Sequence, residues 1–136
     1  MKLSNYLQDY YSITGKTSDV ARQLAFAGIA LIWIFKSGDS RTFQIPKDFI
    51  YPLGIFCFAL ACDLLQYIIG SIIWGSFHRY HERKLTDPKE DPDLLAPAWL
   101  NWPINTFFML KLIAVISAYF LLLHYFWSLW MAGLSK

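Results

Sequence analysis

The apolar residues of this 136-residue chain come in three long runs, not at the spacing of a soluble helix or strand. A membrane-spanning helix needs about 20 mainly apolar residues, so three such helices occupy most of the chain. The composition agrees: 56% of the residues are hydrophobic and 16% are charged, against about 25% charged in soluble domains. The sequence therefore predicts an all-α integral membrane protein of one domain, with no room for an enzyme domain.

The polarity along the chain predicts its segments. Residues 1–18 carry leucines and tyrosines at helical spacing and predict a short N-terminal amphipathic helix that ends near Gly15. We expect a first span, a loop, a second span, a basic helix extension with an acidic, proline-rich loop, and a third span at residues 19–36, 37–48, 49–77, 78–103 and 104–131, respectively. In the first span Arg22 must reach the interface or find shelter against a neighbouring helix.

The distribution of Lys and Arg predicts the orientation. Three of these residues precede the end of the first span and four lie between the second and third spans, against four on the other side. Cytoplasmic loops carry an excess of such residues, so we expect a cytoplasmic N-terminus and an outside C-terminus. Four tryptophans fall near the ends of spans, as interfacial aromatic belts require: Trp99, Trp102, Trp127 and Trp130.

Asp63 lies within the most hydrophobic stretch of the chain, residues 49–74. A charge at mid-bilayer costs about 2.5–3.5 kcal/mol on insertion scales, so such residues usually face a bundle interior, a partner or a pore. Gln66 and Gly70 follow at helical spacing and extend the same polar stripe. The sequence predicts that this stripe lines or gates an aqueous path.

Lys111 enters the third span at a depth that differs from that of Asp63 by about one helical turn. A lysine side chain can bridge this offset, so an Asp63–Lys111 ion pair can form within a subunit or between subunits. Two interpretations remain open. The pair, or a protonated Asp63, serves only to specify packing, or these residues belong to a pore, a gate or a proton relay.

Three helices hardly enclose a polar path through a bilayer, because each supplies one face. A conducting form would need several copies, so we expect a homo-oligomer, of which a tetramer is one example.

A basic cluster follows the second span and can hold phosphates and stack a base on an aromatic ring. The alternative is that these residues determine topology and touch anionic lipid headgroups. The candidate ligand-binding residues are His78, Arg79, Tyr80, Arg83 and Lys84, together with Lys16 and Arg22 on the same side. No catalytic or metal-binding motif is present, so we expect no enzyme activity, cofactor or metal.

The segment Leu-Ala-Pro-Ala-Trp-Leu-Asn-Trp-Pro at residues 95–103, followed by an aromatic start, Lys111 and a Tyr/Leu-rich span, resembles small bacterial membrane proteins with an "AP-x-W-hydrophobic-NWP" segment. These include the membrane effectors of the Hailong anti-phage system. The resemblance implies an oligomeric ion channel of the bacterial inner membrane, controlled by short single-stranded DNA signals from a partner nucleotidyltransferase. It assigns no ligand-binding residue.

Three functions therefore remain open. The first is a channel gated by a cytoplasmic nucleotide or oligonucleotide, which dissipates the membrane potential in phage defence. The second is a small proton-coupled transporter in which Asp63 alternately binds a proton and a cation. The third is a non-conducting assembly subunit in which Asp63 merely pairs with Lys111.

Overall fold

The computed structural model describes residues 3–35, 45–84 and 96–134, and side chains from residue 11 onward. These residues form three long helices, α1 (Leu3–Ile34), α2 (Lys47–Glu82) and α3 (Trp102–Leu134), with a 3₁₀ helix at Ala98–Asn101 before α3. The predicted loop at 37–48 lies outside the described residues up to residue 44, and α2 begins within its last part at Lys47; residues 85–95, with the acidic loop, also lie outside the described residues.

Helix α1 continues through Gly15, so the expected end of a separate amphipathic helix near that residue is wrong. A glycine inside a helix costs only about 1 kcal/mol relative to alanine, which packing can offset. The hydroxyl of Thr17 donates to the carbonyl of Ile13, and Ser18, Ala21 and Ala25 bury one face just beyond. The N-terminal segment and the predicted first span are therefore one helix.

Each helix runs antiparallel to the one before it in the chain, as the contacts at successive levels of the bundle show. At one end Phe49 of α2 packs edge-on against Tyr125 of α3, with ring centroids 4.7 Å apart. One level further, Phe56 packs against Tyr119, whose hydroxyl donates to the carbonyl of Leu24 on α1 at 2.9 Å. These aromatic layers form the core at the end of the bundle where α2 begins.

Within the described residues, two helices are long and apolar enough to cross a membrane, Lys47–Glu82 and Ala98–Leu134. Much of their apolar surface is exposed, including Ile72, Ile116 and Phe120. A soluble protein rarely leaves so large an apolar surface uncovered. These two helices indicate that the protein associates with a membrane.

Gly28 leaves room for the side chain of Phe56 between α1 and α2. A Cβ atom at this position would lie 2.2 Å from Cζ of Phe56, whose side chain is fully buried. Gly54 of α2, by contrast, has no atom within 4 Å of an added Cβ. The two glycines are therefore a matched pair, one confined by packing and one open.

We expect Gly28→Ala to lower the free energy of unfolding, because overpacking costs about 1–3 kcal/mol and the gain in helix propensity returns only about 1 kcal/mol. Gly54→Ala should leave stability unchanged or slightly higher. Thermal unfolding in detergent, followed by circular dichroism, compares the two. Equal midpoints for both variants would contradict the packing of Phe56 against Gly28.

Candidate functional site: a buried polar cluster joining three helices

Five polar side chains meet inside the bundle, about two helical turns beyond the Phe56 layer along α2. Helices α1, α2 and α3 all contribute to this group, which we call the polar cluster: Ser18, Arg22, Asp63, Gln66 and Lys111. Ser18 and Arg22 are four residues apart and therefore share one face of α1. Asp63 and Gln66, three residues apart, likewise share a face of α2.

Lys111 is the most deeply buried member of the polar cluster, with 2% of its side chain exposed. Its Nζ atom lies 2.5 Å from Oδ1 of Asp63 and 2.7 Å from Oε1 of Gln66, and it also donates to the hydroxyl of Ser18. An ammonium group has three donors, and these three contacts use all of them. Lys111 thus joins α3 to both other helices.

Arg22 covers the polar cluster on its outer side. Its Nε atom donates to Oδ2 of Asp63 at 2.7 Å, and Nη2 donates to the hydroxyl of Tyr67 at 2.9 Å. The side chain of Arg22 is 35% exposed, against 9% for Asp63, and Nη1 also lies 3.6 Å from Oδ1 of exposed Asp19. Arg22 therefore connects a buried carboxylate to the surface of the bundle.

The charges of the polar cluster make Asp63 its central member. Its carboxylate is shared by two cations, one on each neighbouring helix, so each carboxylate oxygen has a charged donor. Buried charges are costly unless paired and hydrogen-bonded, and this arrangement meets both conditions. The space that Asp63 and Lys111 line with neighbouring apolar residues leaves no room for a water molecule. The polar cluster therefore links the three helices in a closely packed arrangement.

The structure places the four predicted pore residues in different settings. The Asp63–Lys111 contact that the helix depths suggested forms within one subunit, and Gln66 joins it. Gly70 lies outside the polar cluster, where an added Cβ would contact Ile104 of α3 at 3.5 Å. The contact between α2 and α3 therefore changes from polar at Gln66 to apolar at Gly70, about one helical turn further along α2.

The sequence did not predict the contacts of Arg22 and Ser18 with Asp63 and Lys111. It indicates shelter for Arg22 against a neighbouring helix, or a role in ligand binding, without naming a partner, and it indicates no role for Ser18. Their spacing of four, directly before an apolar stretch, was the available signal, since it puts a hydroxyl and a guanidinium on one helix face. The register of α1 against α2 decides that this face meets Asp63, and spacing within one helix carries no such information.

The predicted ligand-binding residues of α2 lie at its far end and in the turn that follows. We call residues 78–84 the basic segment. Its cationic members and Tyr80 are exposed. Lys84 donates to the Tyr80 hydroxyl at 2.7 Å and lowers the pKa of that phenol below its usual value, while its Nζ lies 4.0 Å from the ring centroid. His78 lies 3.8 Å from a carboxylate oxygen of Glu82.

Lys16 and Arg22 do not adjoin the basic segment. Arg22 contacts Asp63, and sixteen residues of α2, or about 24 Å of helix, separate Asp63 from Arg79. Lys16 is exposed two residues before Ser18, close to the level of the polar cluster. The predicted group is thus divided between two levels of the bundle. Among the described residues no group of His, Cys, Asp and Glu could hold a metal ion.

Comparison with known proteins adds no further evidence on function. No family model, curated protein or solved structure matches this chain. The resemblance of residues 95–103 to the Hailong effectors therefore stays a prediction. The function proposed below is supported by the polar cluster, the basic segment and the apolar surface.

Proposed function

We propose that this chain is the subunit of a homo-oligomeric ion channel in the bacterial inner membrane, closed in the state described above. All three helices cross the membrane, with the N-terminus in the cytoplasm. An anionic signal, a nucleotide or a short single-stranded DNA made by a partner nucleotidyltransferase, binds the basic segment and controls opening. The open channel dissipates the membrane potential and serves anti-phage defence.

The inclusion of α1 as a span rests on the pairing of Arg22. The apolar stretch of α1 is short because Asp19 and Arg22 lie just before it, and an unpaired arginine in a bilayer is costly. Asp63, which also pairs with Lys111, and Asp19 together offset that charge, and the remaining exposed part of the side chain can extend towards the interface. α1 can then cross the membrane against α2 and α3.

The observation that carries the proposal is the continuity of α2. Asp63 and the first basic residues, His78 and Arg79, lie on one unbroken helix, and Asp63 contacts both other helices. A ligand that shifts the basic segment would therefore also strain the bonds that Asp63 makes to Arg22 of α1 and Lys111 of α3. It changes the gate only if it binds the open and closed arrangements with different affinity.

Opening, in this proposal, separates Asp63 from Lys111 and exposes both to water in a path between several subunits. Each subunit supplies a polar stripe that is sealed when the polar cluster is intact. Charged groups at such a path favour ions, as they do in other channels.

A direct test measures potassium release from liposomes that contain the purified protein, at increasing concentrations of short single-stranded DNA. We expect Arg79→Gln/Arg83→Gln to raise the DNA concentration for half-maximal response at least about tenfold, because phosphate contacts dominate such affinity. The control is Lys16→Gln, which removes an exposed cation at another level of the bundle and should respond like the wild type. An equal loss in both variants would show general charge attraction instead of a site at the basic segment.

A second candidate function is a non-conducting assembly subunit. It is favoured by one observation, that Lys111 and Asp63 find their partners within a single subunit. This alternative predicts that no ion release occurs with any nucleotide or DNA, although the protein is folded and inserted.

A further inference from the structure

A groove of about 730 Å³ lies between the first turns of α2 and the last turns of α3, at the end of the bundle opposite the basic segment. This volume falls within the range of about 300–1,000 Å³ that is typical of ligand sites. Pro52, Ile55 and Leu121 give it an apolar wall. The polar cluster is remote from it, so the groove is a separate feature.

One rim of the groove carries both signs of charge. Lys47 and Asp48, in the first turn of α2, are exposed, and no ion pair joins either one to another residue in the described part of the chain. His124 and Ser128, four residues apart on α3, are exposed on the facing rim. A ligand with a cation and an anion close together would match this rim, and an acyl chain would match the apolar wall.

Pro52 adds an acceptor for the cationic part of such a ligand. It has no N–H, so the carbonyl oxygen of Asp48, four residues earlier, lacks its usual helical donor. The carboxylate and the backbone carbonyl of Asp48 therefore offer two acceptors on one residue. A primary ammonium group, with three donors, can use both, whereas a trimethylated ammonium cannot donate to either.

We propose that this groove binds a zwitterionic phospholipid with a primary ammonium headgroup, such as phosphatidylethanolamine. Asp48 holds the ammonium, while Lys47, with His124 and Ser128, holds the phosphate. Tryptophans at positions 127 and 130, on the same end of α3, are residues typical of the headgroup level. The inference rests on the membrane location in the proposed function, and it is independent of ion conduction and of the cytoplasmic signal.

Native mass spectrometry of the delipidated protein tests this site, with phosphatidylethanolamine, phosphatidylcholine and phosphatidylglycerol added separately. We expect phosphatidylethanolamine to bind at one molecule per chain, about tenfold more tightly than phosphatidylcholine, because charge-assisted hydrogen bonds to its ammonium are among the stronger ones. Asp48→Asn should remove this preference over phosphatidylcholine. Lys47→Gln should weaken the binding of phosphatidylethanolamine and of phosphatidylcholine, and Asp19→Asn, which changes an exposed carboxylate at the level of the polar cluster, should change neither.

Three results would overturn the proposal. Equal binding of all three lipids to the wild type would show nonspecific lipid contact. Unchanged binding in Lys47→Gln and Asp48→Asn, with helix content intact by circular dichroism, would place the lipid elsewhere. A change in oligomeric state in these two variants, without a change in lipid binding, would assign the groove to a second copy of the chain. Ion release is not measured here, so a failure of the channel proposal leaves this test valid.

Discussion

Asp63→Ala is expected to destabilise the protein by about 3–5 kcal/mol, the cost of removing one partner from a buried ion pair. The substitution would leave Lys111 buried at 2% exposure with no carboxylate beside it, and Arg22 would lose its contact with α2 through Asp63. Ser18 and Gln66 would still accept from Lys111, but neither carries a negative charge. The loss should appear as a lower unfolding temperature in detergent.

Two comparisons separate this effect from general sensitivity of the protein. Asp19→Ala removes an exposed carboxylate that also lies near Arg22 and should change stability little. Arg22→Gln/Asp63→Leu/Lys111→Met removes all three charges of the polar cluster while keeping apolar volume and should recover most of the loss, because such replacements are often neutral or stabilising. If Asp63→Ala proves as stable as Asp19→Ala, the polar cluster does not hold the helices together.

Exchange of the two charges in Asp63→Lys/Lys111→Asp is expected to fail. A simple ion pair would survive this exchange, but here Arg22 lies 2.7 Å from the carboxylate that is replaced. Two cations would then face each other, at a cost of about 4 kcal/mol for a separation of 4 Å and an effective dielectric constant of 20. The exchanged protein should be about as unstable as Asp63→Ala.

Neutralisation of Arg22 in the exchanged protein provides the decisive comparison. Adding Arg22→Gln removes the repulsion, so the triple variant should be more stable than the double variant. In the wild-type background the same Arg22→Gln substitution removes a favourable contact and should lower stability. This reversal of sign, measured by thermal unfolding of the four proteins, is the expected result. An exchange that restores stability without Arg22→Gln would show that Arg22 does not act on position 63.

The all-helical fold and the Asp63–Lys111 contact could be predicted from the sequence, because they depend on properties of single helices. Apolar runs predict the helices, and the position of each charge along its helix gives a depth that can be compared between helices. Residues 78–82 continue α2, as the lack of a helix breaker there suggests. Depth alone could not decide whether the pair forms within a subunit or between subunits.

The contacts of α1 could not be predicted from the sequence, because they depend on the rotation of α1 and on its register against α2. Gly28 and Phe56, like Arg22 and Asp63, are far apart in sequence and meet only when two helices are aligned. Gly15 led to the prediction of a helix end that the structure does not have, because local helix propensity contributes less than the burial of the helix face that follows it. Gly70 shares the face of Asp63 in a helical projection, yet α3 covers it with Ile104.

In the proposed channel, Asp63 and Lys111 separate and face water on opening. The most direct test is ion release from liposomes triggered by single-stranded DNA, with wild-type protein beside Arg22→Gln/Asp63→Leu/Lys111→Met. We expect ion release with the wild-type protein and none with the variant that lacks these charges, although both proteins are folded and inserted. Equal release from both proteins would show that the polar cluster only packs the helices. A silent wild type under every condition would contradict the channel itself.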